Sequence, residues 1–280
     1  MCGIVGFCSK RQDKQSIIKA QLSVLHHRGP DDSDFYLNIN IALGHTRLSI
    51  IDIEHARQPM VSQDSRYILI FNGEIYNYLE LRRNLISKGM SFKTNSDTEV
   101  LLNLYMYYGK ECVTKLNGMF AFAIYDIVED SIFLARDHLG VKPLYYTYQD
   151  GEFIFASEVK AILKYPSVKA QVDMQSVNEY LTFQVMLKKH TLFKDIHTLD
   201  PATYIYIKNG KIKEKRKYWD FKYDIDDSKT QEQYSDELLH LLEDSVRIQT
   251  RSDVPVGAYL SGGIDSSLVS TLAKNSYIGD

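Results

Sequence analysis

Cysteine is scarce in this sequence: Cys2, Cys8 and Cys112 are the only three in 280 residues. The odd count and the lack of any C-x-x-C pair exclude a disulfide framework and a zinc site. Such usage fits a reducing cytoplasm. Neither sign of charge is in excess, with 33 Lys and Arg against 36 Asp and Glu for a net charge of −3. That leaves no whole-chain basic field to hold nucleic acid or an anionic membrane. Long apolar runs are also missing, since stretches such as 119–125 fall far short of the ~20 residues that cross a bilayer. The N-terminus turns polar at Ser9-Lys10-Arg11 with no basic segment ahead of an apolar one, which excludes a signal peptide. What is present is an ordinary globular balance, 44% hydrophobic and 25% charged. At this length about two domains are expected.

Up to about residue 210, short runs rich in Ile, Phe, Tyr and Val alternate with amphipathic stretches. Strands are expected over 3–8, 39–43, 67–71, 121–126, 131–135, 144–148, 153–157 and 203–208. Helices are expected over 14–26, 78–88, 98–108 and 174–183. Hairpin-like pairs such as 121–126 with 131–135 point to antiparallel sheets covered by helices. The expected domains are 2–210, a linker over 211–233 that is first basic and then acidic, and a second domain over 234–280. The latter reads as a helix over 234–249, a buried strand over 254–260, a glycine loop and another helix. About 45 residues cannot bury a core of their own, so this domain reads as one cut off soon after it begins.

Cys2 follows the initiator Met directly. Once Met1 is trimmed, one residue carries a thiol and a free α-amine, and an amine with a pKa of about 7.7–8.0 can act as the base that a thiol nucleophile needs. The segments Arg28-Gly29-Pro30-Asp31-Asp32, Arg47-Leu48-Ser49-Ile50-Ile51-Asp52, Asn72-Gly73-Glu74-Ile75 and Ser96-Asp97-Thr98-Glu99 place polar residues at turns, strand ends and a helix start. Taken singly, Arg47 reads as an ion-pair partner, Glu74 as a strand-end charge, Asp97 as a helix cap and Asn72-Gly73 as a hairpin turn. Together with the opening Cys2-Gly3-Ile4-Val5-Gly6, the 118–126 segment and Arg136-Asp137-His138-Leu139-Gly140-Val141-Lys142-Pro143-Leu144, they resemble the class II, N-terminal-nucleophile glutamine amidotransferases. Within that class the sequence is most similar to the glutamine-hydrolysing asparagine synthetases, across essentially the whole chain.

The resemblance implies that Cys2 attacks the side-chain amide of glutamine, with the Asn72 amide and the Gly73 N–H as the oxyanion hole. It implies Arg47 for the glutamine α-carboxylate, Glu74 and Asp97 for its α-ammonium, and backbone contacts from Leu48, Ser49, Ile50 and Ile51. These types suit the task, because a guanidinium forks onto a carboxylate and a glycine lets backbone approach closely. His27, His45 and His138 match no catalytic position of the family and are expected to be structural.

A second motif, Ser261-Gly262-Gly263-Ile264-Asp265-Ser266-Ser267, opens a helix and lacks the lysine of a Walker loop. Glycines and a helix N-terminus suit an anion. The loop resembles the PP-loop of ATP pyrophosphatases, which implies ATP pyrophosphate on Ser261, Gly262, Gly263, Asp265 and Ser266, with Leu260 beside the nucleotide. In that family ATP and Mg²⁺ activate aspartate, and ammonia displaces AMP to give asparagine. No Mg²⁺ ligand is assigned in this chain. The other readings are an amidotransferase for another carboxylate and a truncated product without turnover. The partners implied are glutamine, aspartate and ATP, with neither nucleic acid nor membrane, and relatives often pair as homodimers. The expected fold class is α+β: a four-layer αββα N-terminal-nucleophile sandwich, then the start of an α/β PP-loop domain. The 1–280 chain by itself is expected not to make asparagine.

Overall fold

Along Phe120-Ala121-Phe122-Ala123-Ile124-Tyr125, bulky and small residues alternate, the pattern of a strand covered on both faces. In the computed structural model, which describes residues 1–187 and 189–276, this run lies inside a sheet and its two faces enter two different cores. The strands are β1 (Gly3–Cys8), β2 (Asp32–Leu37), β3 (Ile41–Arg47), β4 (Met60–Val61), β5 (Tyr67–Ile75), β6 (Gly118–Asp126), β7 (Ser131–Arg136), β8 (Tyr145–Gln149), β9 (Glu152–Ala156), β10 (His197–Thr198), β11 (Thr203–Lys208) and β12 (Lys211–Lys217). The helices of the first unit are α1 (Lys14–Ser23), α2 (Tyr78–Ser87), α3 (Asp97–Tyr108), α4 (Val159–Ile162) and α5 (Met174–Phe183).

One sheet runs β10-β8-β9-β1-β3-β2 and the other β12-β11-β7-β6-β5-β4, with every neighbouring pair antiparallel. Between them lie Ile4, Leu43, Ile70, Ala121, Ala123, Leu134, Phe155 and Ile205. The outer face of the second sheet presents Phe71, Phe120, Phe122 and Phe133 to Leu85 of α2 and to Leu101 and Leu104 of α3. The outer face of the first presents Val5, Phe7 and Ile154 to Ile17, Ile18 and Leu22 of α1 and to Ile162 of α4. The order of layers is helix, sheet, sheet, helix, as expected for the α+β sandwich.

The expected 121–126/131–135 hairpin is β6–β7. Strand β2 was not expected, because Asp32-Ser33-Asp34 reads as loop; it is the edge strand of its sheet, where charged residues discourage further pairing. Lys211–Lys217, assigned from its charge to the linker, is β12, the edge strand paired with β11.

Chain contacts divide the molecule into residues 1–49 with 54–220, and 50–53 with 221–280, of which 277–280 lie outside the described residues. In the second unit, α6 (Gln231–Gln249) starts at Thr230, whose hydroxyl accepts from Gln233 N–H while the Gln233 side chain accepts from Thr230 N–H. This is a complete capping box. Val246 and Ile248 of α6 and Leu272 of α7 (Ile264–Ser276) are buried. The strand expected over 254–260 does not form, and Tyr259 is fully exposed. A parallel strand needs a neighbour to complete its ladder, and among the described residues none pairs with it.

Gly118 and Glu74 meet so closely that a Cβ on Gly118 would lie 2.2 Å from the Glu74 carbonyl oxygen. Neither atom is the free end of a side chain, so the backbone of β5 or β6 would have to shift. Gly118→Ala is expected to destabilise the chain by about 2–3 kcal/mol, read as a lower urea midpoint at unchanged m-value.

Candidate functional site

Antiparallel pairing places the site. Gly3 opposes Thr46, so the start of β1 lies beside the end of β3, bringing Cys2 alongside Arg47 and Leu48. The Cys2 Sγ lies 3.6 Å from the Leu48 carbonyl oxygen, to which it donates, and accepts from Leu48 N–H at 3.4 Å. Arg28 Nε donates to the Cys2 carbonyl at 2.9 Å, and its Nη1 pairs with Glu158 at 3.0 Å. Gly29 permits that approach, since a Cβ there would lie 2.4 Å from the Thr46 carbonyl carbon. Asp31 N–H donates to the Arg47 carbonyl, and the Asp31 carboxylate accepts from Ser49 N–H at 2.8 Å.

The second sheet is tied to the first near this point. His45 of β3 is fully buried and reaches the Phe71 carbonyl of β5 at 3.0 Å, which fixes the middle of β5 against the end of β3. A carbonyl can only accept, so Nε2 carries the proton. Burial holds His45 neutral down to about 4. As the sequence led us to expect, this histidine is structural.

Asn72-Gly73-Glu74 lie within β5, opposite Ala121, Phe120 and Met119. That removes the hairpin-turn alternative for Asn72-Gly73. A Cβ on Gly73 would lie 2.2 Å from the Met119 carbonyl oxygen, so no other residue fits. Asn72 is 1% exposed, and neither its Oδ1 nor its Nδ2 has a hydrogen-bond partner. Leaving such a group unsatisfied costs roughly 1–3 kcal/mol.

Asp97 is the first residue of α3, not its cap; that role belongs to Ser96, which accepts from Glu99 N–H at 3.1 Å. The Asp97 carboxylate turns inward and accepts from Ile75 N–H at 3.0 Å. Burial pushes its pKa above the usual range, against the pull of the Ile75 and Thr98 hydrogen bonds. Burial also raises Glu74, and the Asp97 charge raises it further while Lys142 opposes. Two interacting carboxyls thus lie together at this end of β5, with Lys142 as the cation whose charge acts on Glu74. Arg47 is 6% exposed at the end of β3.

Two groups escaped sequence reasoning. Arg28 sat inside a recognised turn, but only the fold brings its guanidinium onto the Cys2 carbonyl. Lys142 sat inside a recognised motif, yet its Nζ lies 3.2 Å from Met1 Sδ. With Met1 present the α-amine is one residue away from Cys2, and burial lowers its pKa. Burial likewise raises the Cys2 thiol.

Ile50 and Ile51 group with the second unit, where the Ile50 carbonyl accepts from Asp253 N–H. In the glycine loop, Gly262 has φ +85°, Ser261 and Ser266 hydroxyls lie 3.0 Å apart, and Ser266 and Ser267 bond the Gly263 carbonyl. No side chain crowds the two glycines, and Leu260 and Asp265 are exposed. The loop fits an anion at the start of a 13-residue helix. Among the described residues no cluster of His, Cys, Asp or Glu could hold a metal ion, and no helix is long and apolar enough to cross a membrane.

Residues 1–219 match the glutamine amidotransferase domain family and residues 237–277 match asparagine synthase. The chain is 40% identical over 281 residues to asparagine synthetase [glutamine-hydrolyzing] 1 of Bacillus subtilis, covering 98% of this chain and 44% of that one. It is 36% identical over 282 residues to asparagine synthetase B [glutamine-hydrolyzing] of Escherichia coli, covering 98% and 45%. The chain thus spans about half the length of the curated relatives it matches. Among solved structures it is similar to the glutamine phosphoribosylpyrophosphate amidotransferase from B. subtilis, at TM-score 0.57 and 18% identity over 98% of this chain and 64% of that one. That likeness supports the sandwich fold alone.

The buried His45 has a sign that can be checked. Its pKa falls from the ordinary 6.5 to about 4 in the fold, so the unfolded chain binds the extra proton. Its contribution is complete above pH 6.5 and is lost as pH falls toward 4, by about 1.4 kcal/mol per unit. His45→Gln keeps a donor for the Phe71 carbonyl but cannot titrate. The stability difference between wild type and H45Q, from urea unfolding, should change by about 2–3 kcal/mol between pH 7 and pH 4.5. A constant difference would refute a neutral buried imidazole.

Proposed function

The chain belongs to the glutamine amidotransferase domain family, and on that premise we propose that it is the glutamine-hydrolysing part of an asparagine synthetase, active once Met1 is removed. The observation that carries the reading is Asn72: a buried, unpartnered amide within β5, beside a glycine that admits no side chain and one residue from Glu74, whose charge acts on the Cys2 thiol.

In this reading Arg47 forks onto the glutamine α-carboxylate, and Glu74 with Asp97 receives the α-ammonium. Backbone groups of Leu48, Ser49, Ile50 and Ile51 would add contacts to glutamine. The Cys2 α-amine accepts the thiol proton. The thiolate attacks the side-chain amide carbon, and charge develops on the carbonyl oxygen. Asn72 Nδ2 and Gly73 N–H stabilise that oxygen; each donor of this kind contributes roughly 3–4 kcal/mol in the transition state. The proton moves from the amine to the departing nitrogen, ammonia leaves, and water cleaves the γ-glutamyl thioester to glutamate. Cys2 is restored.

Ammonia then serves an amidation, and the names of the relatives support aspartate as the acceptor. Ser261, Gly262, Gly263, Asp265 and Ser266 would hold the pyrophosphate of ATP beside Leu260. Bound there, ATP supplies the chemistry that activates a carboxylate. Mg²⁺ would accompany the phosphates, with no ligand set offered by the described residues.

Met1-free chain is expected to release ammonia and glutamate from glutamine in a coupled dehydrogenase assay. Cys2→Ala should lose at least ~10³-fold and Asn72→Ala about 10²–10³-fold in kcat, both with unchanged melting curves. Turnover that survives in C2A would end the reading.

A further inference from the structure

Lys142 is held with unusual care for a residue of a surface turn. The Asp137 carboxylate accepts from the N–H groups of Leu139, Val141 and Lys142 at 2.9–3.1 Å, and from Phe120 at 3.2 Å. Arg136 pins the same turn from the other side, donating to the carbonyls of Lys142, Gly140 and Leu199 at 2.5–2.7 Å. The lysine is 4% exposed. Among the described residues its ammonium has one hydrogen-bond partner, the Met1 thioether at 3.2 Å, a weak acceptor. A desolvated ammonium is expensive, and its one partner belongs to the residue that must leave before Cys2 can work.

We propose that Lys142 is a positioning residue of the Cys2 site: in the Met1-free chain its enclosed ammonium favours thiolate over thiol and free amine over ammonium at the leading residue. This rests on the reading of Cys2 as the nucleophile. The surroundings need such a charge. Asp31, Glu74, Asp97 and Asp137 all face this end of the sandwich, with Tyr76 beside Glu74, while Arg28 and Arg47 are the other cations. Carboxylates favour the ammonium and oppose the thiolate, the wrong form of both groups. Arg28 is already engaged with the Cys2 carbonyl and Glu158, and Arg47 is assigned to substrate. Lys142 is the cation left to offset the acids, and its field already helps lower the pKa of the Met1 amine.

The test reads Cys2 alone. Met1-free wild type, Lys142→Met and Lys142→Arg are alkylated with iodoacetamide across about pH 5–9 without glutamine, and the Cys2 peptide is quantified by mass spectrometry. In K142M the midpoint should rise by about one pH unit, making alkylation about tenfold slower below it. K142R should restore the midpoint. Identical midpoints in K142M and wild type would overturn the proposal, because a packing role moves no pH profile. Glutamine hydrolysis by wild type is measured alongside. A chain that alkylates with the expected profile but does not hydrolyse glutamine defeats the functional reading and leaves the role of Lys142 standing. Should K142M not fold, wild type labelled with ¹³Cε-lysine decides. The lysine resonance that moves when Met1 is removed must stay in its ammonium form through neutral pH, and a neutral amine there would overturn the proposal.

Discussion

The position of Cys2 depends on one close packing of backbone, where β1 and the turn after α1 both press against the end of β3. Thr46 is the pivot. A Cβ on Gly3 would lie 2.7 Å from its hydroxyl, and one on Gly29 would overlap its carbonyl group. With both glycines in place, the Gly3–Thr46 register leaves the chain terminus nowhere to go but across Leu48. Arg28, carried by the same turn, then reaches the Cys2 carbonyl. A terminus is ordinarily the least ordered part of a domain; here the second residue is fixed by sheet register, a guanidinium and a sulfur contact.

The two sheets contribute different chemistry to that end. The first, with the turn after α1, brings Cys2 and the cations at 28 and 47. The second brings Asn72, Gly73 and Glu74, each displayed by a strand whose neighbour approaches too closely for any side chain at 73 or 118. His45 connects them through the Phe71 carbonyl. Because that imidazole stays neutral, it locks the sheets without adding charge to a site already crowded with it.

Much of this was legible in the sequence, and the reasons differ by residue. The alternation of Phe and Ala over 120–123 encodes a strand with two covered faces, and the β6–β7 hairpin follows from local spacing. Cys2, Arg47, Asn72, Gly73, Glu74 and Asp97 could be proposed as one site only through resemblance, because each has an ordinary explanation by itself and their proximity comes from long-range pairing. Edge strands were harder. β2 and β12 carry Asp and Lys where a strand signal needs apolar residues, since an edge faces water on one side. The 254–260 run carries a good strand signal and forms none, because hydrogen bonding in a sheet belongs to a pair of segments and composition describes one. Arg28 and Lys142 were invisible for a related reason: a cation's partner is chosen by the fold.

Electrostatics gives the site its logic. Glu74 and Asp97 are raised by burial, so each opposes folding progressively as pH rises from its unfolded value of 4.5 or 3.8 toward about 8 for Glu74 and about 6 for Asp97. An unpartnered amide at Asn72 adds a further cost. Such costs fall together in one corner of a well-packed sandwich, the pattern on which the proposed function rests. Under the proposed function, a zwitterion carrying a side-chain amide would meet these groups together: its ammonium with the two carboxyls, its carboxylate with Arg47, and its amide oxygen with Asn72 and Gly73. On that reading a ligand that pairs these groups offsets part of their folding cost, so the residues that weigh against the fold are also the ones that would select what it binds.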